Sequence, residues 1–332
     1  MEYPSLSTPT AGSIRFNTDS AKMEIYNGDK WWEIDSSVGM QSAPRGVIMG
    51  GGSPARDNVV QYIQINTAGN AVDFGDLTEV AGRPSAGASR TRVVRGGGAT
   101  PTIVNTIDYA SINTTGNFVN FGDLTAARNQ GGGLSNQVRA LFAGGNPATD
   151  TIDYVTISIT GNAIDFGNLS GGRQSASGAA SPTRGLWMGG ETTNTIEYIT
   201  IASTGNVVDF GDLTQARRLG KAGSNRNRAI LFGGNSPGGT AYDIIDYVQI
   251  ASLGNAADFG NLTTVKAEIA VTTSATRACI SGGEGPTPSY TNYNVIESVE
   301  IPTLGNAIDF GDLLGNRAFS PAGASNAHGG LG

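Results

Sequence analysis

The residues able to do chemistry in this chain are few, and most of them recur. One histidine, His328, and one cysteine, Cys279, are the whole supply of imidazole and thiol. A single cysteine excludes an internal disulfide and a Cys-rich metal site. A Ser/His/Asp triad would have to use His328, which stands in a Gly-rich tail and would make a poorly preorganised base. What remains is carboxylate and guanidinium, and these are periodic. The stretch Gly69-Asn-Ala-Val-Asp-Phe-Gly-Asp-Leu77 returns as Gly-Asn-x-x-Asp-Phe-Gly-Asp/Asn-Leu from Gly116, Gly161, Gly205, Gly254 and Gly305. It sets an acid before each Phe at Asp73, Asp165, Asp209, Asp258 and Asp309, with Asn120 in the second copy. An Arg or Lys follows as Arg83, Arg128, Arg173, Arg217, Lys266 and Arg317. A second Arg opens an apolar segment as Arg45, Arg139, Arg184, Arg228 and Arg277, with Thr91 in the second copy.

Rings of Asp and Arg can line a binding face. They can also be structural, each Asp satisfying turn amides or an Arg of the neighbouring unit, because partly buried charges must be paired. Catalytic sites are asymmetric, whereas these residues are repeated about equally in every unit, so the structural role is the expectation. Asp73-Phe-Gly75 also spells the metal-binding triplet of kinases, but no Gly-rich phosphate loop, strand lysine or catalytic loop accompanies it. Gly-Asn-x-x-Asp lacks the ligand density of a calcium loop. No cofactor and no metal site are expected.

A recurrence every 44 to 51 residues marks repeated supersecondary units. Each unit divides into four short strands. In the first, Gly46-Val-Ile-Met precedes the glycine pair Gly50-Gly51, and the equivalent strands end at Gly97, Gly145, Gly190, Gly234 and Gly283. A variable loop leads to a second strand, Val59 to Ile65, and a Gly69-Asn70 turn leads to a third, Ala71 to Leu77. A fourth strand of small residues, Ser85 to Ser89, follows. Short, evenly spaced strands fit a propeller or a sandwich, and a four-strand unit at this period favours one propeller blade per repeat. The small-residue strands (Ala86-Gly-Ala88, Ala176-Ser-Gly178, Ala222-Gly223) would be innermost, where large side chains cannot fit. The first unit lacks such a strand upstream, since only Met40-Gln-Ser-Ala-Pro44 precedes Arg45. Ser320-Pro-Ala-Gly-Ala-Ser325 matches Pro84-Ser-Ala-Gly-Ala-Ser89 and is expected to complete it. The expected fold is all-β: a six-bladed β-propeller over 39–332, closed by the C-terminal strand, which leaves no long open edge.

The blade pattern resembles kelch repeats: a glycine pair after an apolar strand, an aliphatic/Tyr strand, then an aromatic strand and an Arg. It departs from them in carrying Phe (Phe74, Phe121, Phe166, Phe210, Phe259, Phe310) where many kelch repeats carry Trp. The copper oxidases with kelch-like blades need two His ligands, and sialidases need an arginine cluster, a Tyr/Glu pair and Asp-box sequences. The chain has neither set, so no enzyme is expected.

Residues 1–38 differ from the repeats. Gly12-Ser-Ile-Arg-Phe16 and Lys22-Met-Glu-Ile-Tyr26 read as short strands around Asn17-Thr-Asp-Ser20. Asn27-Gly28 signals a hairpin, and Trp31-Trp32-Glu-Ile34 is a third strand. So small a module buries too little to stand alone. Its pattern, Gly12 to Asn17, Glu24-Ile-Tyr-Asn-Gly28 and Trp32-Glu-Ile34, resembles the N-terminal modules of bacteriophage tail-fibre and other virion structural proteins. That resemblance implies a virion protein of the tail or capsid surface. Residues 1–38 would bind other virion proteins or oligomerise, with Ile14, Phe16, Tyr26, Trp31 and Trp32 as the contacts. The propeller would present loops to a host-surface glycan or protein. The alternatives are a cellular kelch-like adaptor and, third, a glycan-active propeller enzyme.

Composition agrees with a non-nucleic-acid, non-inserting protein. The net charge of −7 gives no basic footprint for nucleic acid, and no apolar run approaches the roughly 18 residues that cross a bilayer. Met1-Glu-Tyr-Pro4 has neither region of a secretory leader. The loops after the glycine pairs vary in length and content, and all six would emerge on one face. The fifth carries Tyr242 and the sixth Tyr290 and Tyr293, aromatic side chains able to stack on sugars or bury in an interface.

Overall fold

A computed structural model describes residues 9–17, 22–34, 43–286, 288 and 290–331. The chain divides into two compact units, Met1–Ser42 and Ala43–Gly332, and the expected boundary after residue 38 lies outside the described residues. The first unit is an antiparallel sheet of Ile14–Asn17, Lys22–Tyr26 and Trp31–Ile34. Its turn departs from a two-residue hairpin. Only Gly28 has positive φ (103°), while Asn27 Oδ1 accepts from the amides of Asp29 (2.9 Å) and Lys30 (2.8 Å) in a longer loop. The expected turn over residues 17–20 falls largely outside the described residues.

The second unit is all-β and holds six four-stranded antiparallel sheets. Sheet one comprises Ala322–Ser325, Arg45–Met49, Val59–Gln64 and Val72–Asp76. The C-terminal segment therefore completes sheet one as expected, but its register, Ala322↔Met49 to Ser325↔Gly46, aligns Ala322 with Ser85, one residue from the alignment that the match to Pro84–Ser89 implies. Sheet two runs from Ser85–Ala88 to Val119–Asp123, sheet three from Gly132–Ser135 to Ile164–Arg173, and sheet four from Ser177–Ala180 to Val208–Asp212. Sheet five runs from Lys221–Ser224 to Ala257–Asn261 and sheet six from Ala270–Thr273 to Ile308–Asp312.

Three sets of contacts join each sheet to the next and return from sheet six to sheet one. The first belongs to the repeated motif. The Gly116 N–H donates to Phe74 O (2.7 Å), and Asn117 Oδ1 accepts from the Asp76 amide (3.1 Å), across sheets one and two. Its last member joins Gly69 N–H to Phe310 O (2.9 Å), with Asn70 Oδ1 accepting from the Asp312 amide (3.0 Å). The motif's second glycine is required by this docking. At Gly75 (φ 138°) a Cβ would lie 2.6 Å from the Gly116 carbonyl, at a β-bulge beside Val60 and Gln61. The Phe between them is buried, and in five of the six copies it meets a Tyr edge-on, as in Tyr109–Phe121 at 5.5 Å; Phe310 lies under Arg277 instead.

The second set lies at the start of the glycine-pair strands. Arg45 lies over Tyr62 (4.4 Å) and donates to Ile112 O of sheet two (3.1 Å), while Arg277 donates to Ile65 O, from sheet six to sheet one (3.3 Å). In the second copy this role falls to Arg92, over Tyr109 and donating to Ile157 O (3.0 Å), and not to Thr91, which sits one residue away in the turn. The third set is the six inner strands of small residues, each against the next, with Ala322–Ser325 against both Ala270–Thr273 and Ser85–Ala88. Small side chains are obligatory here. A Cβ on Gly178 would sit 2.3 Å from the Gly133 carbonyl. Gly178→Ala is therefore expected to destabilise the unit by about 1–3 kcal/mol through overpacking, measured as a lower denaturant midpoint. A change within about 0.5 kcal/mol would contradict that packing.

Candidate binding face

The repeated charges resolve into two groups. Asp73, Asp165, Asp209, Asp258 and Asp309 are exposed on the outer strands and tie down neither turn amides nor Arg, contrary to expectation. The turn-amide role belongs to the Asn of the motif. An Asp on five of the six outer strands instead charges an otherwise unpaired sheet edge and opposes pairing with another chain. That matters because Val72, Ile164, Val208 and Ile308 beside them are also exposed, as is Val119 beside Asn120.

The acids that do bind Arg lie on the preceding strand. Arg128 pairs with Asp153 (2.7 Å), Arg173 with Glu197, Arg217 with Asp246 (2.8 Å) and Lys266 with Glu297 (2.5 Å), all eight buried. Each pair crosses a sheet boundary. Three of these acids also accept from a Thr hydroxyl, as in Thr214 Oγ1 to Asp246 (2.8 Å). Burial pulls the Arg128, Arg173 and Lys266 cations down, and the facing carboxylates oppose it. The sequence carried the signal, an acid inside each apolar strand at Ile107-Asp-Tyr109, Ile152-Asp-Tyr154, Ile196-Glu-Tyr198, Ile245-Asp-Tyr247 and Ile296-Glu-Ser298.

Two of the six boundaries depart from this rule. At the first, Ala81 occupies the Arg position, and Arg83 lies two residues further on. Arg95, fully buried on the adjacent strand, reaches Asp108 in its place (2.5 Å). At the last, Gln61 replaces the acid, and Arg317 pairs with Asp57 of the first variable loop. The Arg95–Asp108 pair lies within sheet two, and Thr78 Oγ1 and Glu79 tie it to the end of sheet one; the other pairs each join two sheets.

His328 is likewise structural. Its Nδ1 accepts from the Gly330 amide (3.1 Å), so Nε2 carries the proton and faces Ala88 O (2.9 Å), with Ser135 Oγ at 3.2 Å. The ring thus turns no lone pair toward Ser135. It is better held than its Gly-rich surroundings suggested, because the 3₁₀ turn Gly329–Leu331 is buried against the inner-strand ends. Burial holds its pKa down to about 4. A folded-state pKa below the unfolded value of about 6.5 means that protons favour the unfolded chain. Stability should accordingly be full above about pH 6.5 and decline until about pH 4. Urea midpoints across that window should fall less steeply in His328→Gln than in the parent; identical slopes would contradict this reading. Cys279 is buried, and desolvation raises its thiol to about 12, which leaves it unreactive. Among the described residues no cluster of His, Cys, Asp or Glu could hold a metal, and no helix is long and apolar enough to cross a membrane.

The variable loops join the second and third strands of every sheet and so leave the sheets at one end. The second is a tight continuation of two strands, Arg92–Thr100 and Thr102–Ser111, turning at Pro101. Of the three tyrosines, only Tyr290 is open, at 55% exposure. Tyr242 and Tyr293 hold equivalent structural positions, half-buried. Their amides donate to Gly234 O (2.8 Å) and Gly283 O (3.0 Å), and their carbonyls accept from Lys266 and Arg317 amides.

The five residues assigned to the first unit also separate. Ile14, Phe16 and Trp32 share one face with Met23 and Ile25, which sequence reasoning missed, and all five are exposed. Tyr26 and Trp31 meet at a tilt on the opposite face (5.3 Å), and Arg15 lies over the Trp31 ring (4.2 Å). There Glu24 accepts from Asn17 (2.9 Å) and Arg15 (2.7 Å), which lowers its pKa. One face is internally satisfied, and the other is apolar and open. A scan against protein-family models returns no match, and a search of curated proteins returns none either.

Proposed function

We propose that residues 43–332 form a six-bladed, kelch-like β-propeller and that the chain is a non-enzymatic virion structural protein of a bacteriophage, of the tail-fibre or capsid-fibre type. In this reading the first unit attaches to other virion proteins or to copies of itself. The propeller presents its loop face to a host-surface glycan or protein. The cyclic contacts among six sheets support the propeller. The non-catalytic reading is supported by recurrent charges spent between sheets and by a histidine and a cysteine that are both structural.

The observation that carries attachment is the open apolar face of Ile14, Phe16, Met23, Ile25 and Trp32 in a unit of only three strands. A small sheet gains its stability by covering such a face. Phe16→Ser combined with Trp32→Ser is expected to abolish incorporation into particles and leave the melting of residues 43–332 unchanged. Normal incorporation of this variant, or of a chain lacking residues 1–38, would sink the proposal.

A further inference from the structure

Six equivalent residues border the central cavity at its loop end: Arg83, Gln130, Ser175, Leu219, Glu268 and Phe319, all with φ between 53° and 60°. Main-chain bonds link them round the opening: Arg83 N–H to Phe319 O (2.8 Å), Gln130 N–H to Arg83 O (2.9 Å), Ser175 N–H to Gln130 O (2.7 Å) and Glu268 N–H to Leu219 O (2.9 Å). The backbone repeats here while the side chains do not. Arg83 and Glu268 form an ion pair at this opening. Lys221 is the one charged residue at its inner-strand position, where the other sheets carry Ser85, Gly132, Ser177, Ala270 and Ala322. It lines a cavity of about 50 Å³ with Ser85 and Ser177.

These groups are incompletely used. Among the described residues no hydrogen bond or ion pair reaches the Lys221 ammonium. Arg83 Nε and Glu268 Oε2 are buried without a partner. Desolvation lowers the Lys221 pKa to about 8, with the Glu268 charge opposing that shift and the Arg83 charge adding to it. Glu284 feels the same two charges and is pushed up by desolvation and by Glu268. The opening thus offers donors and acceptors together. An anion would meet Glu268 and Glu284, and a cation would meet Arg83 and Lys221. Hydroxyl groups, which both donate and accept, suit all four. Phe319 belongs to the same ring of residues, but its side chain lines a separate hollow of about 360 Å³ with Arg56, Val80 and Pro101.

We propose that this opening is a subsite for a neutral sugar residue, its hydroxyls held by Lys221, Arg83, Glu268 and Glu284. The inference rests on the glycan-binding reading of the loop face and places the contact at the symmetry-breaking centre rather than on the loop tyrosines. Calorimetric titration of the full chain with neutral oligosaccharides (glucan, galactan and mannan fragments) and acidic ones (hyaluronan fragments, sialyllactose) tests it. At least one neutral ligand should bind, and Lys221→Met and Glu268→Gln should each weaken it by at least about tenfold, the usual scale for a lost hydrogen bond to a charged group. Lys221→Met removes an ammonium that pairs with no other group among the described residues, so this variant should keep the parent's melting temperature, and Tyr290→Ala should bind nearly as the parent does. A preference for the acidic ligands would overturn the neutral class. Undiminished binding in both variants would overturn the location while leaving glycan recognition standing. No binding across the whole panel would overturn the subsite and the glycan reading together, whereas attachment through the first unit is judged separately by particle incorporation.

Discussion

Arg217→Met should cost about 3–5 kcal/mol of unfolding free energy, because it leaves Asp246 buried, charged and without its cation. The cost comes from the stranded charge more than from the lost attraction. Arg217→Met combined with Asp246→Leu should therefore recover most of the loss, as apolar replacements of whole buried pairs often do. The first boundary gives a stricter form of the test. Arg95→Phe alone strands Asp108 in the same way. Adding Ala81→Arg restores the arrangement of the second boundary, in which Arg128 serves the acid and Phe142 fills the strand position. The double variant should unfold close to the parent in urea. A double variant no better than Arg95→Phe would mean that position 81 is not the vacated equivalent of Arg128.

The other large effect concerns the last strand. Truncation before Ala318 removes the partner of Arg45–Met49 and the contacts of two neighbouring inner strands. It also removes Asn326, whose Oδ1 accepts from the Arg45 amide (2.8 Å) as Asn136 does from Arg139 within one continuous turn (2.8 Å). Buried main-chain groups left unpaired cost as much as lost hydrogen bonds, and here several are exposed at once. The truncated chain should show no cooperative unfolding transition of residues 43–317. A sharp transition near the parent's would show that the sheets hold together without closure.

Much of the sheet architecture was legible in the sequence because it is written six times. The glycine pairs, the strand alternation and the match of Ser320–Ser325 to Pro84–Ser89 each follow from local rules, and repetition removes the ambiguity of any single copy. What failed was the assignment of charge. Asp73 and its equivalents recur conspicuously beside the Phe, yet a β-bulge at Gly75 re-aims the strand and leaves them in solvent. Asp108 and its equivalents were hidden by their apolar neighbours, since an acid inside a buried strand makes sense only once an Arg from the adjacent sheet is placed. Arg83 was counted with Arg128 although it stands two residues out of register, a shift visible once both are measured from Phe74 and Phe121. That misplacement concealed its distinct position at the cavity mouth. In the first unit, strand alternation already separated Phe16 from Arg15, but the strand pairing was needed to join Met23 and Ile25 to the open face.

The repeats build the scaffold, and the first unit is proposed to fix the protein to a particle. Immuno-electron microscopy of purified phage particles, with antibody against residues 43–332, tests it most directly. Label is expected at a regular position on the tail or capsid surface, lost when Phe16 and Trp32 are both replaced by Ser. Particles that carry no label, from cells in which the full chain is abundant and folded, would contradict it.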